Sequence, residues 1–188
     1  MHRKPRIRGR LIATGLSVAL LFGCAGLPTS PTDALAPGEY VSNPQWASTG
    51  TVEEPQGLQF EVKKKKEVRG EVGGSVSAGR FTVAVPQGAY IGAGEISVDV
   101  PDSTVLRVAL HITGVANSFA EPVALVVDWD DALGELESDP TALQMAWFDE
   151  VVGEWVIIPS VVDLEARTIT TYLEHFSEYG VIEAKAGW

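Results

Sequence analysis

Apolar and polar residues alternate with a period of two in a series of short runs along this chain. "LQFEV" puts Leu58, Phe60 and Val62 on one face. "FTVAV" sets Phe81, Val83 and Val85 against Thr82 and Ala84, and "ISVDV" sets Ile96, Val98 and Val100 against Ser97 and Asp99. "LRVALHI" aligns Leu106, Val108, Leu110 and Ile112 opposite Arg107, Ala109 and His111, and "VALVVDW" aligns Val123, Leu125, Val127 and Trp129. "AWFDEVVGEWVIIP" reads as two short strands joined over Glu150 to Glu154, and "TITTYLEHF" and "SEYGVIEA" close the set. Each run is a strand with one buried face. Turn residues separate them, among them Gly73-Gly74, Pro86 to Gly88 and Pro101-Asp102. The one helical candidate, "DALGELESDPTAL", is limited by Gly134 and Pro140. About nine short strands and no long helix predict an all-β fold, an antiparallel β-sandwich spanning residues 57–188.

The first 56 residues have a different texture. "MHRKPRIRGR" carries five cations and no acid, and thirteen apolar or small residues follow it up to Cys24. A basic start and a short apolar run form an export signal, shorter than the roughly 20 residues that span a bilayer as a helix. "LFGC" resembles a bacterial lipobox. That resemblance implies a signal peptide over 1–23, cleavage between Gly23 and Cys24, and lipid on the Cys24 sulfur and the new amine; the alternative is a plain signal anchor with a chance cysteine. Ala25 follows Cys24. It stands where lipoproteins kept at an inner membrane usually carry aspartate, so delivery to the outer membrane is expected if the host has one. Residues 24–56 are rich in Pro, Gly, Ser and Thr and show no hydrophobic period. They read as a flexible tether, although Tyr40 and Trp46 leave room for a segment packed along the domain.

Charge and cysteine count sharpen this picture. Cys24 is the only cysteine, so no disulfide framework is expected and a core must stabilise the domain. Loss of residues 1–23 removes five of the fourteen cations, leaving nine against twenty-five acids and a net charge of −16. Such a balance argues against nucleic acid and against general adhesion to anionic lipid. The expected membrane contact is the lipid on Cys24. The expected location is the extracytoplasmic face of a membrane, with an unidentified protein or envelope component as partner.

Several segments resemble the ZU-five domain, the β-sandwich of ankyrins, netrin receptors and zonula occludens proteins. They are Gly73-Gly74, Val76, the Phe81/Val83/Val85 strand, the Val85-Pro86-x-Gly88-Ala89 turn, "FAEPVALVVDWD" with Phe119, Pro122 and Val123, a hairpin bearing Trp155, and "HFSEYGV". The resemblance runs from about Gly73 to Val181 and implies the sandwich fold. It implies no partner, because here the domain stands behind a lipid anchor rather than among repeats or death domains.

Candidate chemistry is sparse. Some ZU-five proteins cut themselves within His-Phe-Ser. By resemblance, the bond would be Phe176–Ser177, with the Ser177 hydroxyl attacking the Phe176 carbonyl and His175 moving the proton. Such a site also needs backbone strain and an oxyanion donor. The competing reading makes Phe176 a core plug, with His175 and Ser177 satisfying turn backbone. Either way a bulge or kink at His175-Phe176 is expected, because alternation would otherwise leave Phe176 outside. The acidic stretch Asp128, Asp130, Asp131, Glu135, Glu137 and Asp139 reads as a solvated loop. The calcium alternative lacks the helix-loop-helix spacing, with Leu133 where a glycine is needed. Lys63 to Lys66 read as a charged strand edge, with headgroup or wall-polymer contact as the alternative. His111 and His175 are too few for a zinc site. No phosphate-cradling loop or dinucleotide fingerprint occurs. No cofactor, no metal and no turnover of an external substrate are expected.

Overall fold

The computed structural model describes residues 35–49, 62–130 and 139–183. The described strands are β1 (Tyr40–Val41), β2 (Val62–Arg69), β3 (Gly74–Ala78), β4 (Phe81–Val85), β5 (Ala93–Val100) and β6 (Arg107–Thr113). They continue with β7 (Val123–Asp128), β8 (Leu143–Asp149), β9 (Glu154–Ile158), β10 (Ser160–Asp163), β11 (Thr168–Leu173) and β12 (Glu178–Glu183). A seven-stranded sheet runs β1-β9-β8-β12-β6-β5-β2, and a five-stranded sheet runs β10-β11-β7-β4-β3. Every strand pairing is antiparallel. The expected all-β sandwich is therefore the observed fold. Among the described residues no helix is long and apolar enough to cross a membrane.

The alternation sets the core. Phe81, Val83, Leu125, Val127 and Ile169 of the smaller sheet and Ile96, Val98, Val108, Leu110 and Val181 of the larger are all buried in one apolar cluster. Successive side chains of a strand take opposite faces, so each of these runs buries one face. The sheets are joined where the chain changes layer. Pro159 separates β9 of the larger sheet from β10 of the smaller, and its carbonyl accepts a hydrogen bond from Thr171 Oγ1 at 2.8 Å. Residues 174–177 carry the chain back from β11 to β12.

The strands differ in detail from the sequence expectation. β1, β3 and β10 are additional to it, and "LQF" of the expected first strand lies outside the described residues. The strand there begins at Val62 and runs through the lysines. It is the outer strand of its sheet. Lys64 and Lys66 lie opposite the buried Val98 and Ile96 and so share the inner-face register, yet both are exposed. Lys66 Nζ donates to the Ser75 carbonyl of β3 at 2.9 Å, spanning the rim between the two sheets. On the outer face Lys65 pairs with Glu95 at 2.9 Å and Lys63 with Asp99. Inward-register lysines on an edge strand oppose pairing with another sheet, and their methylene stems cover the core margin. Around the helical candidate, residues 131–138 lie outside the described residues, and Pro140–Ala142 form one 3-10 turn capped by the Asp139 side chain.

The middle of the expected tether is part of the domain. Residues 35–49 form a strap on the larger sheet, as the Tyr40 and Trp46 alternative allowed. Leu35 exchanges two hydrogen bonds with the Gln144 side chain, and Tyr40–Val41 pair with Val156 and Trp155. Farther on, Ala47 N donates to the Val181 carbonyl, and the Ala47 carbonyl accepts from Leu106 N. Backbone pairing of this kind explains why the strap needs no hydrophobic period. Trp46 lies over Gly180, where a Cβ would meet its ring atoms at 2.3 Å. Its ring meets Trp155 edge-on, with centroids 4.5 Å apart. The Arg107 guanidinium sits 5.6 Å from the Trp46 centroid and 5.2 Å from that of Trp155, within cation–π range, and pairs with Glu178. A second apolar cluster results, with Ala146, Trp155, Ile157 and Ile182 buried beneath Leu35, Val41, Trp46 and Phe148.

The outer face of the five-stranded sheet carries no such cover from a described segment. One lateral row crosses all five strands as Val161, Thr170, Val126, Thr82 and Ser77. The next row is Tyr172, Ala124, Ala84 and Ser75. None of these positions is charged, and Val161 and Tyr172 at its margin are 65% and 66% exposed.

Candidate functional site

The His-Phe-Ser tripeptide occupies the crossing from β11 to β12. The chain bends at Glu174 and His175, so the expected kink is present. Its origin is a change of sheet. Leu173 and Tyr179 both face the core from their own sheets, and the bend turns Phe176 inward between them. Phe176 is 3% exposed and meets the Phe119 ring edge-on, with centroids 4.7 Å apart.

Leaving one ladder before entering the next, Phe176 needs partners for its backbone groups. Asn117 supplies both. Phe176 N donates to Asn117 Oδ1 at 2.7 Å, and Asn117 Nδ2 donates to the Phe176 carbonyl at 2.8 Å. A carboxamide can stand in for a neighbouring strand because it offers one acceptor and donors on a planar group. The residues on either side are also tied. Phe119 N donates to the Glu174 carbonyl at 2.9 Å, and Leu110 N to the Ser177 carbonyl at 2.9 Å. Tyr179 Oη donates to the His175 carbonyl at 2.6 Å. Burial pushes the Tyr179 hydroxyl above its ordinary pKa, which keeps it protonated and donating.

His175 and Ser177 face different partners. The His175 ring meets Trp147 edge-on, with centroids 4.8 Å apart. Ser177, 8% exposed, donates through Oγ to the Phe148 carbonyl at 3.0 Å. The structure forms no hydrogen bond between the imidazole and this hydroxyl. Of the two requirements beyond the tripeptide, a donor on the Phe176 carbonyl is present in Asn117. The backbone of 175–177 shows no positive φ and no cis peptide. Asn117 was not singled out in the sequence because "GVANSF" gives an asparagine typical of a turn.

The remaining candidates are dispersed. Asp128 and Asp130 lie beside Arg80 and Arg167: Arg80 Nη1 donates to both aspartate carbonyls at 3.4 Å, and Arg167 pairs with the Asp130 carboxylate at 3.7 Å. Asp139 caps the 3-10 turn, and hydrogen bonds from Thr141 hold its carboxyl below the usual range. Asp131, Glu135 and Glu137 lie outside the described residues, as does Cys24. Among the described residues no three His, Cys, Asp or Glu side chains are grouped to hold a metal ion. His111 projects from β6 opposite Ser97 and is exposed. Comparison of the chain with protein-family models, curated proteins and solved structures returns no match.

Proposed function

We propose that the protein is a lipoprotein held at the extracytoplasmic face of a membrane by lipid on Cys24, and that its single ZU-five-like sandwich serves a binding or structural role without turning over a substrate. The observation that carries this reading is the lone cysteine at the end of a thirteen-residue apolar run behind five cations. Two or more acyl chains suffice for stable anchoring where one is marginal. Residues 25–34 link that anchor to a strap packed on the sandwich, and a largely apolar interior leaves the outer faces for contact. The expected result is recovery of the protein in the membrane fraction, with the mass of its N-terminal peptide raised by lipid. In Cys24→Ala both should be lost, and a membrane-bound Cys24→Ala protein without added mass would sink the reading.

A second reading is self-cleavage between Phe176 and Ser177, favoured by the Asn117 donor on the carbonyl where an oxyanion would form. In that step Ser177 Oγ bonds to the Phe176 carbonyl carbon, the C–N bond breaks, and the hydroxyl proton passes through His175 to the departing amine. Water then hydrolyses the ester to a Phe176 carboxylate and a free Ser177 hydroxyl. Ser177 would first have to release Phe148, and for that reason the binding role is the preferred function. Intact mass under denaturing conditions is expected to show one uncut chain. Release of residues 177–188, abolished in Ser177→Ala, would establish cleavage instead.

A further inference from the structure

The two described sheets end in β1 and β2 and in β10 and β3, and three of these edges are protected. β1 is two residues long. β2 carries the exposed inner-register Lys64 and Lys66. On β3 the Ser75 carbonyl is taken by Lys66 Nζ at 2.9 Å. Very short strands and edge lysines discourage one sheet from pairing with another. β10 reads Ser-Val-Val-Asp and has no cation. Its one charged residue, Asp163, serves the turn that follows, where its carboxylate accepts from Glu165 N at 3.0 Å and Ala166 N at 2.8 Å. Val161, in the middle of this edge, is 65% exposed.

The ladder shows which groups the edge presents. Trp129 N donates to the Arg167 carbonyl at 3.0 Å, in register with the β11–β7 pairing. Hydrogen-bonded pairs recur at every second residue of an antiparallel ladder. Odd-numbered residues of β11 therefore turn their N–H and C=O groups to β7, and even-numbered ones turn theirs to β10. On β10, Val161 and Asp163 lie opposite Thr170 and Thr168 and bond to β11. The N–H and C=O groups of Ser160 and Val162 point away from the sheet, and no described backbone group bonds them.

This edge is complementary to itself. A second β10 laid antiparallel about a two-fold axis at Val161 sets Ser160 opposite the partner's Val162, and Val162 opposite the partner's Ser160. The four outward groups of each copy then pair in four backbone hydrogen bonds. Val161 and the partner's Val161 form the non-hydrogen-bonded pair between them, where side chains approach most closely. Both valines stand on the outer face. The two Asp163 carboxylates are kept apart, each two residues from the axis, or about 14 Å from the other along the strands. Any extended strand could meet the backbone groups; a copy of this chain also matches the exposed valine and separates the charges. We propose that β10 pairs with β10 of a second copy, joining two five-stranded sheets into one of ten strands across an isologous contact. The contact is smaller than a standard interface of about 800 Å² per partner, so the dimer is weak and concentration-dependent. The proposal goes beyond the anchoring and binding roles above and does not depend on them.

Disulfide trapping in the purified, detergent-solubilised full chain tests it. In the proposed register the Cα atoms of residue 161 lie about 4.5 Å apart, within the span a disulfide bridges. Val161→Cys is expected to oxidise to a covalent dimer, with the linked peptides mapping to residue 161 in both copies and not to Cys24. Val151→Cys, 95% exposed at the β8–β9 turn, measures random collision and should cross-link at least about tenfold more slowly. Sedimentation of the unsubstituted chain should show a dimer that grows with concentration. Val161→Lys places like charges opposite each other and should weaken that dimer about tenfold. Because Val161 is exposed, the lysine variant should unfold at the wild-type temperature, which separates lost pairing from misfolding. Cross-linking of Val161→Cys no faster than of Val151→Cys, a wild-type chain that stays monomeric, or association unchanged in Val161→Lys would each overturn the proposal.

Discussion

A chain lacking residues 35–49 is expected to lose its native sandwich. The strap covers Trp155, Ile157 and Ile182, and burial of a large apolar side chain contributes about 1.5–3 kcal/mol. Its backbone also supplies partners to Val181, Leu106 and Ile157. Domains of this size are stable by about 5–15 kcal/mol in all, so losing most of this cover removes a large part of the total. The deletion should bind hydrophobic dyes and lose the near-ultraviolet circular dichroism of its packed tryptophans, and a cooperative, dye-free deletion would disprove the role given to the strap. A finer version uses the Trp46 contact. Gly180→Ala forces its new Cβ into the Trp46 ring, and overpacking of this kind costs about 1–3 kcal/mol. In a Trp46→Ala background the same change should cost nearly nothing, because the obstructing ring is gone. Equal costs in both backgrounds would show that the ring is not what Gly180 accommodates.

Phe176→Ala should destabilise the domain by about 3–5 kcal/mol, the range for removing a buried aromatic ring. The ring is 3% exposed, in contact with Phe119, and held at its backbone by Asn117. Ser177→Ala removes one hydrogen bond to the Phe148 carbonyl and should cost about 1 kcal/mol. Urea denaturation measures both, with the midpoint falling strongly for the first and slightly for the second at unchanged slope. This ordering separates a plug from a reactive centre, since a centre built around the serine would make Ser177 and not Phe176 the sensitive position for cleavage. A Phe176→Ala protein as stable as the wild type would refute the plug.

Where a strand buried one face between two neighbours, its sequence showed it. "FTVAV" and "VALVVDW" alternate cleanly because β4 and β7 are interior strands with one face in the core. β2 was legible only as the end of the first expected strand and as a charged strand edge at Lys63 to Lys66, because its inner-register positions 64 and 66 are lysines that reach the rim instead of filling the core and leave no apolar alternation. β3 is built from Gly, Ser, Val and Ala, and only Val76 and Ala78 are buried, too weak a pattern to separate from the turn before it. The strap was hidden for another reason. It is held by backbone groups and by Trp46, neither of which leaves a period. At the tripeptide, the burial of Phe176 and the bend were legible from the conflict in alternation. The Asn117 clamp and the Ser177 bond to Phe148 join residues far apart in sequence, and no local pattern records them.

β12 lies inside the larger sheet, between β8 and β6, although it follows every other described strand in chain order. Trp46 is bridged to Ile182, far away in sequence. The ribosome therefore releases the other described strands before the one that joins the two halves of this sheet. Until then β6 and β8 each expose an edge, and non-local pairing of this kind is slow. Without β12 the larger sheet is two separate pieces, β1-β9-β8 and β6-β5-β2, and one strand turns them into a single sheet.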